Sequence, residues 1–120
     1  MPALNFQARF APLVEAGKKR QTIRAPRKDG RDPKAGQTLY LYTGMRTKDC
    51  RKLLNGEVKC KSVEKIEIVH PEGVFVSGRL LCHEERQSMA EADGFEHSGQ
   101  MAEWFKREYG LPFEGWLIRW

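Results

Sequence analysis

Along the first part of the chain the apolar positions change period. Ala3 to Phe6 is short and apolar, as an edge strand is, and Phe6, Phe10, Leu13 and Val14 then recur at i, i+4, i+7 and i+8, one face of a helix. Pro12 falls inside that pattern and has no amide hydrogen to donate. The regular helix is therefore expected to begin near it, after an irregular or 3₁₀ turn, and to run to about Ala16. Gly17 follows as a helix-terminating glycine. From Gln21 to Arg24 the chain leans to β, which puts Thr22 and Arg24 on one face and Gln21 and Ile23 on the other. With Ile23 turned to the core, Thr22 and Arg24 face a cleft or solvent, and Lys19 lies close by on the preceding turn.

Ala25 to Gln37 contains Pro26, Gly30, Pro33 and Gly36 among four basic residues and reads as a loop, either closing over a nucleotide or simply mobile. Thr38 to Thr43 alternates, with Leu39 and Leu41 inward and Tyr40 and Tyr42 on the opposite face. If that face lines the cleft, a tyrosine stacks on a base; otherwise both are ordinary surface residues. Gly44 to Asn55 carries Arg46, Lys48, Arg51 and Lys52 and ends in an Asn55-Gly56 turn. Val58 to Ile68 predicts one long half-buried strand, with Val58, Cys60, Ile66 and Ile68 inward and Lys59, Lys61, Lys65 and Glu67 alternating with them. Pro71-Glu72-Gly73 turns the chain into Val74 to Leu81, its hairpin partner. Glu84 to Ala92 predicts a short helix stopped by Gly94. Ser98 is the expected cap of a second helix, whose inner face is Met101, Trp104, Phe105 and Tyr109, core residues before they are a stacking platform. Gly110-Leu111-Pro112 ends it, and Phe113 to Trp120 is a last strand with Trp116, Ile118 and Trp120 on one side. The expected fold is α+β: five or six mostly antiparallel strands curled into a small barrel, one helix before Gln21 and two near the end.

A chain of 120 residues with 40% apolar content makes one domain, residues 1–120, with a real core and no room for a second. Met1 to Leu13 lacks the continuous apolar core of a signal peptide, and no segment approaches membrane-spanning length, so the expected location is the cytoplasm. A monomer is the default oligomeric state. Charge is uneven. Met1 to Gly36 holds 9 Lys/Arg against 3 Asp/Glu, Gln37 to Val69 holds 7 against 4, and His70 to Trp120 holds 5 against 9. A basic amino-terminal half suggests a polyanionic partner or substrate, RNA or DNA. Cys50, Cys60 and Cys82 form no C-x-x-C pair, and with His83 they match no common zinc spacing. Free thiols, buried or partly buried, are expected, and neither metal nor cofactor.

The run Gly17-Lys18-Lys19-Arg20-Gln21-Thr22-Ile23-Arg24 is either a solvated basic face or a set of cations flanking a hydroxyl nucleophile. Read as G-x-K-x-x-T-I-R, with Gly17, Lys19, Thr22, Ile23 and Arg24 in those slots, it resembles the signature of the ASCH domain, a small fold related to the PUA RNA-binding barrel. The strand Thr38 to Thr43 after a Pro/Gly loop, the segment Ala90-Glu91-Ala92-Asp93-Gly94-Phe95, and an aromatic helix before a terminal strand extend the resemblance over nearly all of the chain. It implies a PUA-like topology. Some ASCH proteins are amidohydrolases that remove the acyl group from the exocyclic nitrogen of N4-acetylcytidine, using a lysine and a threonine of the signature and an acid from the late segment. Carried over by position, these are Lys19, Thr22 and Asp93, with aspartate where those enzymes have glutamate.

Threonine is a poor nucleophile unless a base takes its proton, and Lys19 serves only when neutral. That requires its pKa to fall from ~10.4 to about 7 to 8. Burial lowers it, as do Lys18, Arg20 and Arg24, while an ionised Asp93 raises it. Asp93 then holds Lys19 or delivers a proton to the leaving amine, and backbone N–H groups near Thr22 stabilise the oxyanion. Alternatively, Asp93 merely satisfies a turn before Gly94. Arg24, Arg20, Tyr40 and Tyr42 are the expected substrate-binding residues. Two other readings stand beside the hydrolase: a non-catalytic RNA-binding module whose cations contact phosphate while Tyr40 or Tyr42 stacks, and a nuclease in which Lys19 and Arg24 stabilise a pentacovalent phosphorus.

Overall fold

The computed structural model describes residues 3–54, 58–69 and 73–120. The turns expected at Asn55-Gly56 and at Pro71-Glu72 lie outside them. β1 (Ala3–Phe6) runs parallel to β3 (Thr38–Thr43), which also pairs antiparallel with β4 (Arg51–Lys52) and β5 (Val58–Lys59). The second sheet has the order β2-β9-β6-β7-β8, all antiparallel: β2 (Gln21–Arg24), β9 (Phe113–Arg119), β6 (Ser62–Val69), β7 (Gly73–Val76) and β8 (Arg79–Leu80). The α+β class holds, with nine short strands among the described residues rather than five or six. Among the described residues they form two open sheets and close no barrel.

Two expected strands are broken, for a reason hydrophobic alternation does not carry. The residues from Val58 to Ile68 keep their inward face throughout, Cys60, Ile66 and Ile68 all being buried. The chain nevertheless changes sheets at Cys60 and Lys61. Cys60 exchanges bonds with Gly36 and Gln37 at the start of β3, whereas Lys61 N donates to Arg119 O of β9, each at 2.8 Å. Val74 to Leu81 is likewise a hairpin in itself, turning at Ser77 and Gly78, both with positive φ (51° and 80°) as a tight two-residue connection demands.

The helices fall close to expectation. α1 (Ala11–Glu15) has its proline in the first turn and ends in a Schellman arrangement. Gly17, φ 75°, lets its own N–H reach Val14 O and Lys18 N reach Leu13 O. α2 (His83–Ala92) stops before Gly94. α3 (Ser98–Tyr109) is capped by His97 rather than Ser98, the imidazole Nδ1 accepting from Gln100 N at 3.0 Å. Its buried stripe, Met101 and Phe105, packs on β9, Phe105 meeting Phe113 at 4.9 Å between ring centres. Each such side chain contributes roughly 1.5–3 kcal/mol by burial. Tyr109, expected inside, is exposed at the helix end. β9 lies between β2 and β6 with Leu117 and Ile118 fully buried, so β2 is held firmly beside the core. No helix among the described residues is long and apolar enough to cross a membrane.

Candidate active site

The turn after α1 aims Lys19 inward. Lys18 and Lys19 both donate their amides back to Leu13 O, which fixes the turn, and the Lys19 side chain then runs inside, 2% of the residue being exposed. Its ammonium meets the end of α2. Nζ donates to the main-chain carbonyl of Asp93 at 2.6 Å and lies 3.1 Å from the carboxylate Oδ1 of the same residue. The approach to Oδ1 falls outside hydrogen-bond geometry, so that oxygen is charge-paired yet without a directional partner. Phe10 and Phe6 wall the pair in, their ring centres 5.0 and 5.9 Å from Nζ.

Gly94 is what lets the two segments approach. Its φ is +96°, and a Cβ there would stand 2.7 Å from the Phe10 ring. Asp93 closes α2 as its C-terminal cap, its N–H bonded to Met89 O, so its turn role and its pairing with Lys19 coexist.

Burial and charge act on the pair together. Burial above all pushes Lys19 below the ordinary lysine range; Asp93 opposes the shift, and Arg24 and Arg9 reinforce it. Burial likewise pushes the Asp93 carboxyl up, against the pull of Lys19, Gln21 and Arg24. Both shifts favour the neutral forms, as expected when two opposite charges leave water.

Thr22 is buried on β2, not facing open solvent. It shares a face with Arg24, whose Nε donates to Thr22 Oγ1 at 3.0 Å. Among the described residues no hydrogen bond joins Thr22 directly to Lys19 or Asp93. Arg24 is the link: its guanidinium lies over Phe6 at 4.9 Å, donates to Asn5 O at 2.7 Å, and is felt electrostatically by both Lys19 and Asp93. Of the expected catalytic set, then, Lys19 and Asp93 touch, and Thr22 joins them through Arg24.

The other expected binding residues lie elsewhere. Arg20 is exposed on the far side of the turn, in a groove with Lys59, Lys61 and Trp120. Tyr40 and Tyr42 are on the outer face of their sheet, because Leu39 and Leu41 share the core side with Leu4 and with the Phe6 that walls in Lys19. Tyr40 borders a separate cleft of about 670 Å³ under the loop carrying Arg27, Arg31 and Lys34. Cys60 is buried as expected; Cys50 and Cys82 are exposed.

Three residues of the site escaped sequence reasoning. Gln21 is buried with its carboxamide against Asp93 and 3.4 Å from Met89 O. Asn5 receives Arg24. Arg9 stacks on Phe10 at 4.5 Å and reaches Phe95 at 5.5 Å, close enough to repel the Lys19 charge. Only Gln21 had a signal, as the neighbour of Thr22 on a strand expected to be half buried.

No protein-family model, curated protein or solved structure matches the chain.

Proposed function

We propose that the protein is an ASCH-type amidohydrolase that removes an acyl group from the exocyclic amine of an N4-acylated cytidine. The observation that carries the reading is the buried contact between Lys19 and Asp93, in which burial drives the lysine toward the neutral amine a general base must be. Arg24 Nε–H occupies a lone pair of Thr22 Oγ1 and leaves the hydroxyl proton free for a base. In the first step Thr22 Oγ1 bonds to the acyl carbon and its proton passes to Lys19 Nζ. The C–N bond then breaks and that proton goes to the leaving exocyclic amine. Water releases the acyl group from Thr22 as a carboxylic acid and restores the hydroxyl.

The oxyanion has candidate donors. Trp120 N donates to Arg20 O, which sets the ladder so that Thr22 and Arg24 bond to β9; the N–H groups of Gln21 and Ile23 then point to the side of β2 that no strand of the described residues covers. Asp93, raised toward its protonated form, takes up and returns the proton of Lys19. Cytidine release from a panel of N4-acylated cytidines tests the reading. Wild type is expected to release cytidine, Thr22→Ser to retain part of the rate, and Thr22→Ala to retain none while still melting cooperatively, about 1–3 kcal/mol less stable for the lost bond from Arg24. The rate should rise with pH to a plateau reached below the 10.5 of an ordinary lysine. Equal rates in wild type and Thr22→Ala would rule out the covalent route.

A further inference from the structure

We propose that the loop from Gly44 to Cys50 is a phosphate clamp at the rim of the Lys19–Asp93 centre, with Arg46 as its principal donor. The ligand it fits is a nucleotide or nucleic-acid strand rather than a bare nucleoside. The identity of the base rests on the amidohydrolase reading; the clamp does not.

The backbone supplies the first observation. Among the described residues only Arg46 and Ser77 hold positive φ without being glycine, at 67° and 51°. Ser77 has a local reason, the tight turn between β7 and β8. Arg46 stands third in the turn that Thr47 N closes on Gly44 O, a position of positive φ that glycine or asparagine normally takes, so an arginine there is the exception. A residue stays in that region only where its surroundings over-determine it, and such places cluster at ligand clamps.

Here the surroundings do over-determine it. Thr47 closes the loop on Gly44 O through both its hydroxyl (2.6 Å) and its N–H (3.1 Å). Asp49 N donates to Thr47 Oγ1 at 3.1 Å and Cys50 N to Thr47 O at 3.2 Å. A Cβ on Gly44 would lie 2.9 Å from Asp49 O, so the loop is closed too tightly there for any side chain.

Its anchorage is the second observation. Met45 N donates to Asn5 Oδ1 at 3.0 Å, and Thr43 Oγ1 to Phe6 O at 2.8 Å. Asn5 and Phe6 are the same two residues on which Arg24 rests, the first through its carbonyl and the second through its ring. The loop and the buried centre thus share one support, and Arg46 is one residue from it.

The third is what the loop presents. Arg46 and Lys48 are exposed, and among the described residues neither side chain makes a hydrogen bond, ion pair or ring contact. Asp49 is the single acid between them and Arg51, and Arg51 is itself engaged by Glu15 at 2.5 Å. A stiff loop that holds an unengaged guanidinium beside an ammonium suits a phosphate, which accepts two parallel N–H bonds from arginine.

The test is calorimetric titration of wild type and Arg46→Gly with cytidine, cytidine 5′-monophosphate and a short oligocytidylate. Glycine relieves the left-handed backbone, so this variant folds at least as well as wild type and its Tm is expected to stay level or rise. Wild type is expected to bind at least one phosphorylated probe about tenfold more tightly than cytidine, by a margin that shrinks with added salt. Arg46→Gly is expected to lose that margin. The probe that carries the margin tells a terminal phosphate from a strand. Equal binding of all three probes by wild type, no binding of any, or a margin that survives in Arg46→Gly overturns the clamp. A protein that releases no cytidine from acylated cytidines yet shows the Arg46-dependent margin refutes the hydrolase and keeps the clamp.

Discussion

Burial pushes both Lys19 and Asp93 toward their neutral forms, and each favours the charge of the other. Asp93, with its pKa raised from 3.8, adds to stability at low pH and loses that contribution as pH rises through the raised value. Lys19, lowered from 10.5, adds to stability at high pH and loses it as pH falls through the lowered value. Lys19→Met at pH 7 therefore strands a buried carboxylate and should cost about 3–5 kcal/mol. At pH 5 the penalty should be smaller, because Asp93 protonates more readily. Lys19→Met combined with Asp93→Asn should cost less than the sum of the two single changes, since no buried charge is left alone. Urea melts of the three variants at both pH values check this; a pH-independent penalty, or simple additivity, would mean the two groups do not titrate as a unit.

At the scale of elements, the approach of α2 to α1 depends on one position without a side chain. Gly94→Ala meets both a left-handed backbone and the Phe10 ring, so it should lose about 2–3 kcal/mol and draw Asp93 away from Lys19, cutting cytidine release. Gly110→Ala is the matching control. Its φ of +80° and ψ of 159° suit only glycine, but nothing lies within 4 Å of its added Cβ, so its loss, about 1–3 kcal/mol, should show in melting alone, with the rate unchanged. Sequence signalled both glycines as helix stops and could not tell them apart, because the difference lies in what faces them from another part of the chain. His97 was missed as a cap for a similar reason: Ser98 is the commoner capping residue, but its N–H is taken by Gln87 Oε1 at 3.1 Å and it begins the helix instead.

Over the whole molecule, the legible part was what repeats locally. The G-x-K-x-x-T-I-R run declared a helix end and a strand, and both are there. Alternation put Tyr40 and Tyr42 on a common face correctly but held no information about which face of that sheet looks toward Lys19. The contact between Lys19 and Asp93 spans 74 positions, and only the family resemblance, not any pattern in the residues, pointed to it. Alternation also runs in phase through Cys60, which hid the passage of the chain from one sheet to the other.

That passage gives the protein an internal clock for the separation of its sheets. Cys60 Sγ sits at the corner, 3.6 Å from Ser62 O, and burial pushes its thiol pKa up, so in the native protein it is both shielded and less ionised than an ordinary thiol. Cys50 and Cys82 are open to solvent. Titration with a coloured disulfide reagent should therefore give two rapid equivalents and one slow one. The slow equivalent should vanish in Cys60→Ala and should quicken in urea in step with unfolding. Three rapid equivalents in buffer would mean that the corner breathes open without the rest of the fold.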